Sequence, residues 1–249
     1  MFKKSKLPIL KKFYIYSLDN IYILNLILTP LSLIYLLINF IKKYFFSNNK
    51  LNKIPVIVIG NLTVGGTGKT SLVIWLCNYL SSRKYNIGVI SGGYKTINEN
   101  KLEIVDKNSL VKDVGDEAVL ISNKTNCIVC KCKNRKKAYE YLVNNYELDL
   151  IISDDGLIHY KLNRDLNIVI VKENKPFGNG LLLPAGPLRE LPYVLSKYDS
   201  IIFNKSKYSK LPGFYYDINE VTSFSDKSKI NISDLSGTTI HLVTAIANP

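Results

Sequence analysis

Gly65-Gly66-Thr67-Gly68-Lys69-Thr70 stands directly behind the apolar, β-branched run Val56-Ile57-Val58-Ile59, which stops at Gly60. A strand, a glycine turn and a helix start, in that order, suit a polyphosphate. Small residues let backbone N–H groups close around phosphate oxygens, and the helix N-terminus adds its positive end. Lys69 is spaced to reach the β- and γ-phosphates, and the Thr70 hydroxyl to bind Mg²⁺. Thr63, Val64, Gly65, Gly66, Thr67, Gly68, Lys69 and Thr70 are therefore the candidate cradle for a nucleoside triphosphate. One departure is visible: the strict pattern opens on glycine, and this chain has Thr63 there. A dinucleotide-binding turn fits less well, because that motif has no use for Gly-Lys-Thr at the helix start.

Chemistry of the same kind recurs downstream. Leu148-Asp149-Leu150-Ile151-Ile152-Ser153-Asp154-Asp155-Gly156 reads as a buried strand that delivers two carboxylates at its C-terminal end. In an open parallel sheet that edge is where ligands bind, and Asp154 can hold the Mg²⁺ that Thr70 also contacts. Asp155-Gly156 alone would be only a turn signal; a second acid behind an apolar run points to metal binding. Gly115-Asp116-Glu117 opens a helix, and its acids serve either as helix-end complements to the macrodipole or in chemistry. Residues 178–190, marked by glycine and proline, carry Arg189, which can neutralise phosphate charge.

The elements that must position these groups alternate. Strands are expected at 54–60, 87–91, 127–130, 148–153, 166–171, 200–203 and 239–244, and helices at 69–83, 115–124 and 135–146. Near-continuous apolar strands mean burial on both faces. The expected fold class is therefore α/β, a phosphate-loop NTPase-like, mostly parallel sheet with helices on both faces. Residues 20–41 carry no charge, long enough for a membrane-associated helix. Pro30 predicts a break near Thr29-Pro30. The expectation is a broken helix lying in the cytoplasmic leaflet, its flanking lysines among anionic inner-membrane lipids at about 1 kcal/mol each. A full span and a soluble core helix are the alternatives. Two regions result, a membrane-associated segment over 1–47 and an NTP-binding domain over 48–249. The net charge of +13 comes from 33 Lys+Arg against 20 Asp+Glu, but the lysines are scattered, with no nucleic-acid recognition motif or aromatic platform. Of the four cysteines, Cys127, Cys130 and Cys132 lack the second cluster of a zinc site, and Cys77 stands apart, so all read as core thiols in a reducing compartment.

Taken together, the loop from Gly60 to Thr70, Gly115-Asp116-Glu117, Asp154-Asp155-Gly156 with His159, Arg164-Asp165-Leu166, and Gly178-Asn179-Gly180-Leu181-Leu182-Leu183-Pro184-Ala185-Gly186-Pro187-Leu188-Arg189-Glu190 resemble the tetraacyldisaccharide 4′-kinases, the lipid A 4′-kinases of Gram-negative bacteria. In that family threonine is ordinary at the position of Thr63. The resemblance implies ATP-dependent phosphorylation of the 4′-hydroxyl of a tetraacyl disaccharide 1-phosphate, with Mg²⁺, at the cytoplasmic face of the inner membrane. It implies phosphate and Mg²⁺ handling by Lys69 and Thr70, and a metal and catalytic cluster containing Asp154 and Asp155. It also implies a general base at Asp116 with Glu117 beside it, and arginines near the phosphates at Arg135 and Arg189. Three departures accompany it. Gly92 stands where the family usually has Arg, Leu157-Ile158 where it has Phe-Gln, and the sequence ends at Pro249 before an Asp-His-His stretch. The expectation is retained nucleotide binding with weakened or lost turnover. A membrane-bound ATPase switch is the alternative from another class, though Val64 stands where its signature lysine would be.

Overall fold

The computed structural model describes residues 22–46, 52–94, 96–217, 220–223, 226, 228–237 and 239. The lysine-rich stretch 1–12, the expected strand over 239–244 beyond its first residue, His241 and Ile246-Ala247-Asn248-Pro249 lie outside the described residues.

The described chain opens with helix α1 (Ile23–Phe46), followed by strand β1 (Val56–Asn61), helix α2 (Lys69–Ser81), and strands β2 (Ile87–Ser91) and β3 (Glu103–Val105). Two helices follow, α3 (Val111–Val114) and α4 (Asp116–Lys124), then β4 (Ile128–Lys131), α5 (Arg135–Asn145), β5 (Leu150–Asp154), β6 (Leu166–Lys172) and β7 (Ser200–Asn204). Short strands β8 (Gly213–Phe214), β9 (Glu220–Thr222) and β10 (Lys229–Asn231) complete the set.

Eight strands form one sheet in the order β3-β4-β2-β5-β1-β6-β7-β8. Every pairing is parallel except that of β3 with β4. β3 escaped the sequence reading because it is a three-residue edge strand carrying a charge, Glu103, where no apolar run marks it. Apolar residues fill both faces. Val56, Val58, Ile151, Val169, Ala138 and Leu142 pack on one side, with Leu182 and Leu188 of the long loop and Tyr35 and Leu36 of α1. Ile59, Ile152, Ile170, Val73, Cys77, Ala118 and Ile121 pack on the other. Each buried Val or Ile is worth roughly 1.5–3 kcal/mol relative to exposure.

Register decides where the chemistry falls. β1 is central, and its pairing sets Ile59 opposite Asp154 of β5 and Asn61 opposite Ile170 of β6. Compared with the sequence reading, β1 runs one residue further to include Asn61, and β5 runs one further to include Asp154. Both polar residues are thereby held rigidly at the sheet's C-terminal edge.

Helix α1 corrects an expectation: it is unbroken, with Pro30 inside it. An interior proline costs about 3 kcal/mol by removing one N–H donor and crowding the preceding turn. Here the helix is held on both sides of Pro30. Asn25 Oδ1 accepts from the Tyr22 amide at 2.6 Å, and the Thr29 hydroxyl donates to the Asn25 carbonyl at 2.9 Å. Beyond the proline, Ser32 bonds to the long loop, and Tyr35 and Leu36 pack on the core. Tertiary contacts therefore keep the two halves in line. The opposite side exposes large apolar side chains along the whole length, among them Ile23, Leu26, Ile34, Phe40, Ile41 and Phe45.

Candidate phosphate site

The glycine turn between β1 and α2 uses glycine where the backbone demands it. Gly65 and Gly68 have φ of 108° and 91°, in the left-handed region that other residues enter at a cost. Thr63 needs no such freedom, because it forms an antiparallel bridge with Leu188. A β-branched residue suits that extended strand-like position, which accounts for the missing first glycine. Val64 joins the same partner segment, its amide donating to the Pro187 carbonyl at 2.8 Å.

Lys69, the first residue of α2, is almost fully buried. Its Nζ donates to Asn61 Oδ1 at 3.1 Å and lies 3.7 Å from Asp155 Oδ1. The Thr70 hydroxyl donates to Asp154 Oδ2 at 3.2 Å. The glycine loop and the paired aspartates thus converge on one spot at the sheet's edge. Arg189 joins them: its Nη1 donates to Asp155 Oδ1 at 2.7 Å, and its amide donates to the Leu62 carbonyl at 2.6 Å.

The two aspartates have opposite environments. Burial pushes Asp154 up to about 7, reinforced by repulsion from Glu117 and Asp155 and opposed by Lys69 and Arg135. Burial also raises Asp155, but Lys69 and the directly bonded Arg189 outweigh it and hold this carboxyl below its usual range. Asp155 sits at φ 51°, a left-handed turn tolerated by Asp, and this swings its side chain out of the strand toward the two cations. Asp154 Oδ1 is buried without a partner. An orphaned carboxylate oxygen costs about 1–3 kcal/mol or more. With the neighbouring Thr70 hydroxyl it is a suitable donor pair for Mg²⁺, which takes one or two protein ligands and completes its shell with water and phosphate oxygens. Among the described residues no cluster of three or more His, Cys, Asp and Glu could cage a metal on its own.

Arg135 opens α5, where a cation runs against the helix dipole. Its guanidinium is buried; Nη2 donates to the Asp154 carbonyl at 2.8 Å and Nη1 to the Cys132 carbonyl at 3.3 Å. Burial lowers its pKa, while the nearby Asp154, Asp155 and Glu117 oppose that shift. Gly92 makes room for it: a Cβ there would meet Arg135 Nη2 at 2.9 Å. Leu157, the other departure, is a core residue packed against Gly60 rather than a polar site group. His159 is pushed down to about 4 by burial and by Arg135, so its ring is neutral near pH 7.

Glu117 belongs to the same charged cluster. Packing raises its carboxyl, against the pull of Lys69, with Asp155 and Asp116 adding repulsion. Asp116, at the exposed tip of α4, accepts a bond from the Glu117 amide at 2.9 Å. Among the hydrogen bonds of the described residues, none joins it to the buried cations.

Two residues escaped the sequence reading. Asn61 holds Lys69 with its Oδ1 while its Nδ2 donates to the Thr63 carbonyl at 2.6 Å, bracing lysine and loop together. Asn204, at the end of β7, donates from Nδ2 to the Thr67 carbonyl at 3.1 Å. Polar residues closing apolar strands at the ligand-binding edge were the available signal for both.

Fold and site define a phosphate-loop protein, the class whose glycine loop and helix N-terminus hold polyphosphates. Residues 24–249 match the model of the family described as Tetraacyldisaccharide-1-P 4′-kinase, LpxK. The chain belongs to that family. A Coxiella burnetii protein named tetraacyldisaccharide 4′-kinase is 38% identical over 227 residues, covering 90% of this chain and 67% of the relative. An Actinobacillus succinogenes protein of the same name is 46% identical over 182 residues, covering 72% of this chain and 56% of the relative. The chain thus spans roughly half to two thirds of the length of these relatives. Among solved structures, LpxK from Aquifex aeolicus in complex with ATP superposes with a TM-score of 0.70 at 27% identity, covering 86% of this chain and 72% of that one.

Proposed function

We propose that this chain transfers the γ-phosphoryl group of ATP to the 4′-hydroxyl of a tetraacyl disaccharide 1-phosphate, the lipid A precursor. The observation that carries the reading is the convergence of Lys69, Arg189 and Asp155 with Thr70 and Asp154 at one edge of the sheet. Phosphoryl transfer asks for positioning and charge neutralisation more than covalent help. In this reading backbone amides of residues 63–70 hold the phosphates, and Lys69 turns from Asp155 and Asn61 toward them. Arg189 and Arg135 offset charge on the transferring group. Thr70 and Asp154 would hold Mg²⁺, which when bound would supply charge neutralisation for the phosphates. Asp116 takes the proton of the acceptor hydroxyl, with Glu117 beside it, from the open side where a lipid sugar can enter.

The helix reading follows from how α1 is fastened. Asn25 near one end and Lys43 near the other, about 27 Å apart at 1.5 Å per residue, bond to the same domain, as does Ser32 between them. A helix laid against the domain along that length cannot also cross a hydrocarbon core of about 30 Å. Its apolar outer side supports a helix embedded in the cytoplasmic leaflet of the inner membrane, with lysines such as Lys42 among anionic lipids. Residues 1–47 are accordingly the membrane-associated part and 48–249 the kinase domain; no nucleic-acid partner is proposed.

The test is transfer of label from γ-labelled ATP to tetraacyl disaccharide 1-phosphate in detergent micelles. Labelled lipid is expected. ATP binding without labelled lipid would remove the kinase activity from this chain and leave a nucleotide-binding protein.

A further inference from the structure

A helix that faces lipid has little use for amide and hydroxyl groups, yet Asn25 and Ser32 are almost completely shielded from solvent on α1. Left unpaired, such groups cost roughly 1–3 kcal/mol each. Their partners therefore indicate what the helix holds. Both side chains reach one short stretch of the long loop. Asn25 Nδ2 donates to the Ala185 carbonyl at 2.6 Å. Ser32 Oγ donates to the Leu182 carbonyl at 2.9 Å and accepts from the Ala185 amide at 3.2 Å. Toward the far end of α1, Lys43 lies 3.8 Å from Glu190, whose carboxylate is also held by the Tyr160 and Tyr198 hydroxyls. The helix grips this loop at both of its ends.

The other side of that loop is bonded to the phosphate site. Leu188 bridges both Leu182 and Thr63, the Pro187 carbonyl accepts from the Val64 amide, and Arg189 bonds to Leu62 through its amide and to Asp155 through its side chain. From Ala185 to Arg189 the chain is too short to take up slack: a shift of the Ala185 end moves Pro187 and Arg189 with it.

We propose that Asn25 and Ser32 are positioning residues. They set the register of residues 182–189 and, through that segment, the placement of Arg189 and of the first residues of the phosphate loop. Seating of the apolar helix is then coupled to nucleotide affinity, and α1 does more than anchor. This inference rests on the nucleotide reading of the phosphate site. It also accounts for polar groups on a lipid-facing helix lying on the one side that meets the loop. An anchor alone would be served as well by leucine and alanine.

The full chain in detergent micelles provides the test, with Asn25→Leu, Ser32→Ala, the double variant and Ser32→Thr, which keeps the hydroxyl. Three quantities are measured: affinity for a fluorescent ATP analogue, flotation with phosphatidylethanolamine and phosphatidylglycerol vesicles, and melting temperature. The double variant should bind the analogue roughly tenfold more weakly while floating as well as the parent, and Ser32→Thr should retain parental affinity. Ser32→Ala, the milder change, keeps the test readable if the double variant does not fold; it should weaken binding in the same direction. A lowered melting temperature with unchanged affinity would mark a structural role only and overturn the proposal. A parent that binds no ATP analogue would defeat the phosphate-site reading and this inference with it. A parent that binds, with variants that match it, would defeat the inference alone.

Discussion

Lys69 and Arg189 both pair with Asp155, Lys69 also bonds to Asn61 and Thr70 to Asp154, and Lys69 is almost fully buried. Asp116, by contrast, sits at an exposed helix tip, where its carboxylate accepts from its neighbour's amide. The donor side is thus assembled in advance, its charges already paired and its loops tied to β1 and to residues 187–189. The side proposed for the acceptor is exposed at Asp116. Pre-organised charge suits a triphosphate, which arrives with a constant shape and charge. In the proposed reaction an exposed carboxylate would suit an acceptor whose position is fixed elsewhere, by its acyl chains in a membrane.

This contrast can be broken most severely at Lys69. Lys69→Met removes the cation that pairs with Asp155 and that the proposed reaction turns toward the phosphates, and kcat/KM should fall by roughly 10³–10⁵, on the scale of an arginine finger acting on transferring phosphoryl charge. Unchanged ATP affinity in an equilibrium titration would sink the donor-side assignment. Asp116→Asn should be milder and differently distributed: kcat falls roughly 10²–10⁴-fold while ATP affinity stays at the parental value. A loss of ATP affinity instead would place Asp116 on the donor side and erase the contrast. The smallest effect is a titration. In the proposed reaction Asp154, raised to about 7, would have to shed its proton to hold Mg²⁺. Affinity for Mg·ATP should therefore fall by about tenfold per pH unit below that value, and Asp154→Asn should flatten the profile. The sign for stability is opposite. Because the folded pKa lies above the ordinary 3.8, this group's contribution is present below that value and is lost as pH rises toward about 7.

Much of the donor side was legible in the residues themselves. Gly65 and Gly68 had to be glycine wherever the chain went next, because their backbone angles are local properties. Lys69 and Thr70 follow from them at fixed spacing, and the apolar run before Asp154-Asp155 could only be a buried strand. The edge strand β3 was not legible, because three residues with a charge carry no periodicity. The role of Asn61 was hidden for a different reason: an asparagine behind Gly60 reads as part of a turn, and only the added residue of β1 turns it toward Lys69. Pro30 misled because the rule that proline breaks helices holds for a helix on its own. Contacts with residues 150 or more positions away, between Ser32 and Leu182 and between Asn25 and Ala185, decide otherwise here.

By itself the amino-acid order determined the alternation of strands and helices, the glycine turn that can wrap a phosphate, and an apolar helix ahead of a basic domain. These depend on near neighbours: side-chain periodicity, φ preference and short spacing. Only the tertiary structure decided that Asp154 and Asp155, adjacent in the chain, have carboxyls pushed in opposite directions, and that α1 lies along the domain with its polar groups on the Arg189 loop. Burial and charge pairing depend on which distant segments meet, and no window of sequence contains both partners.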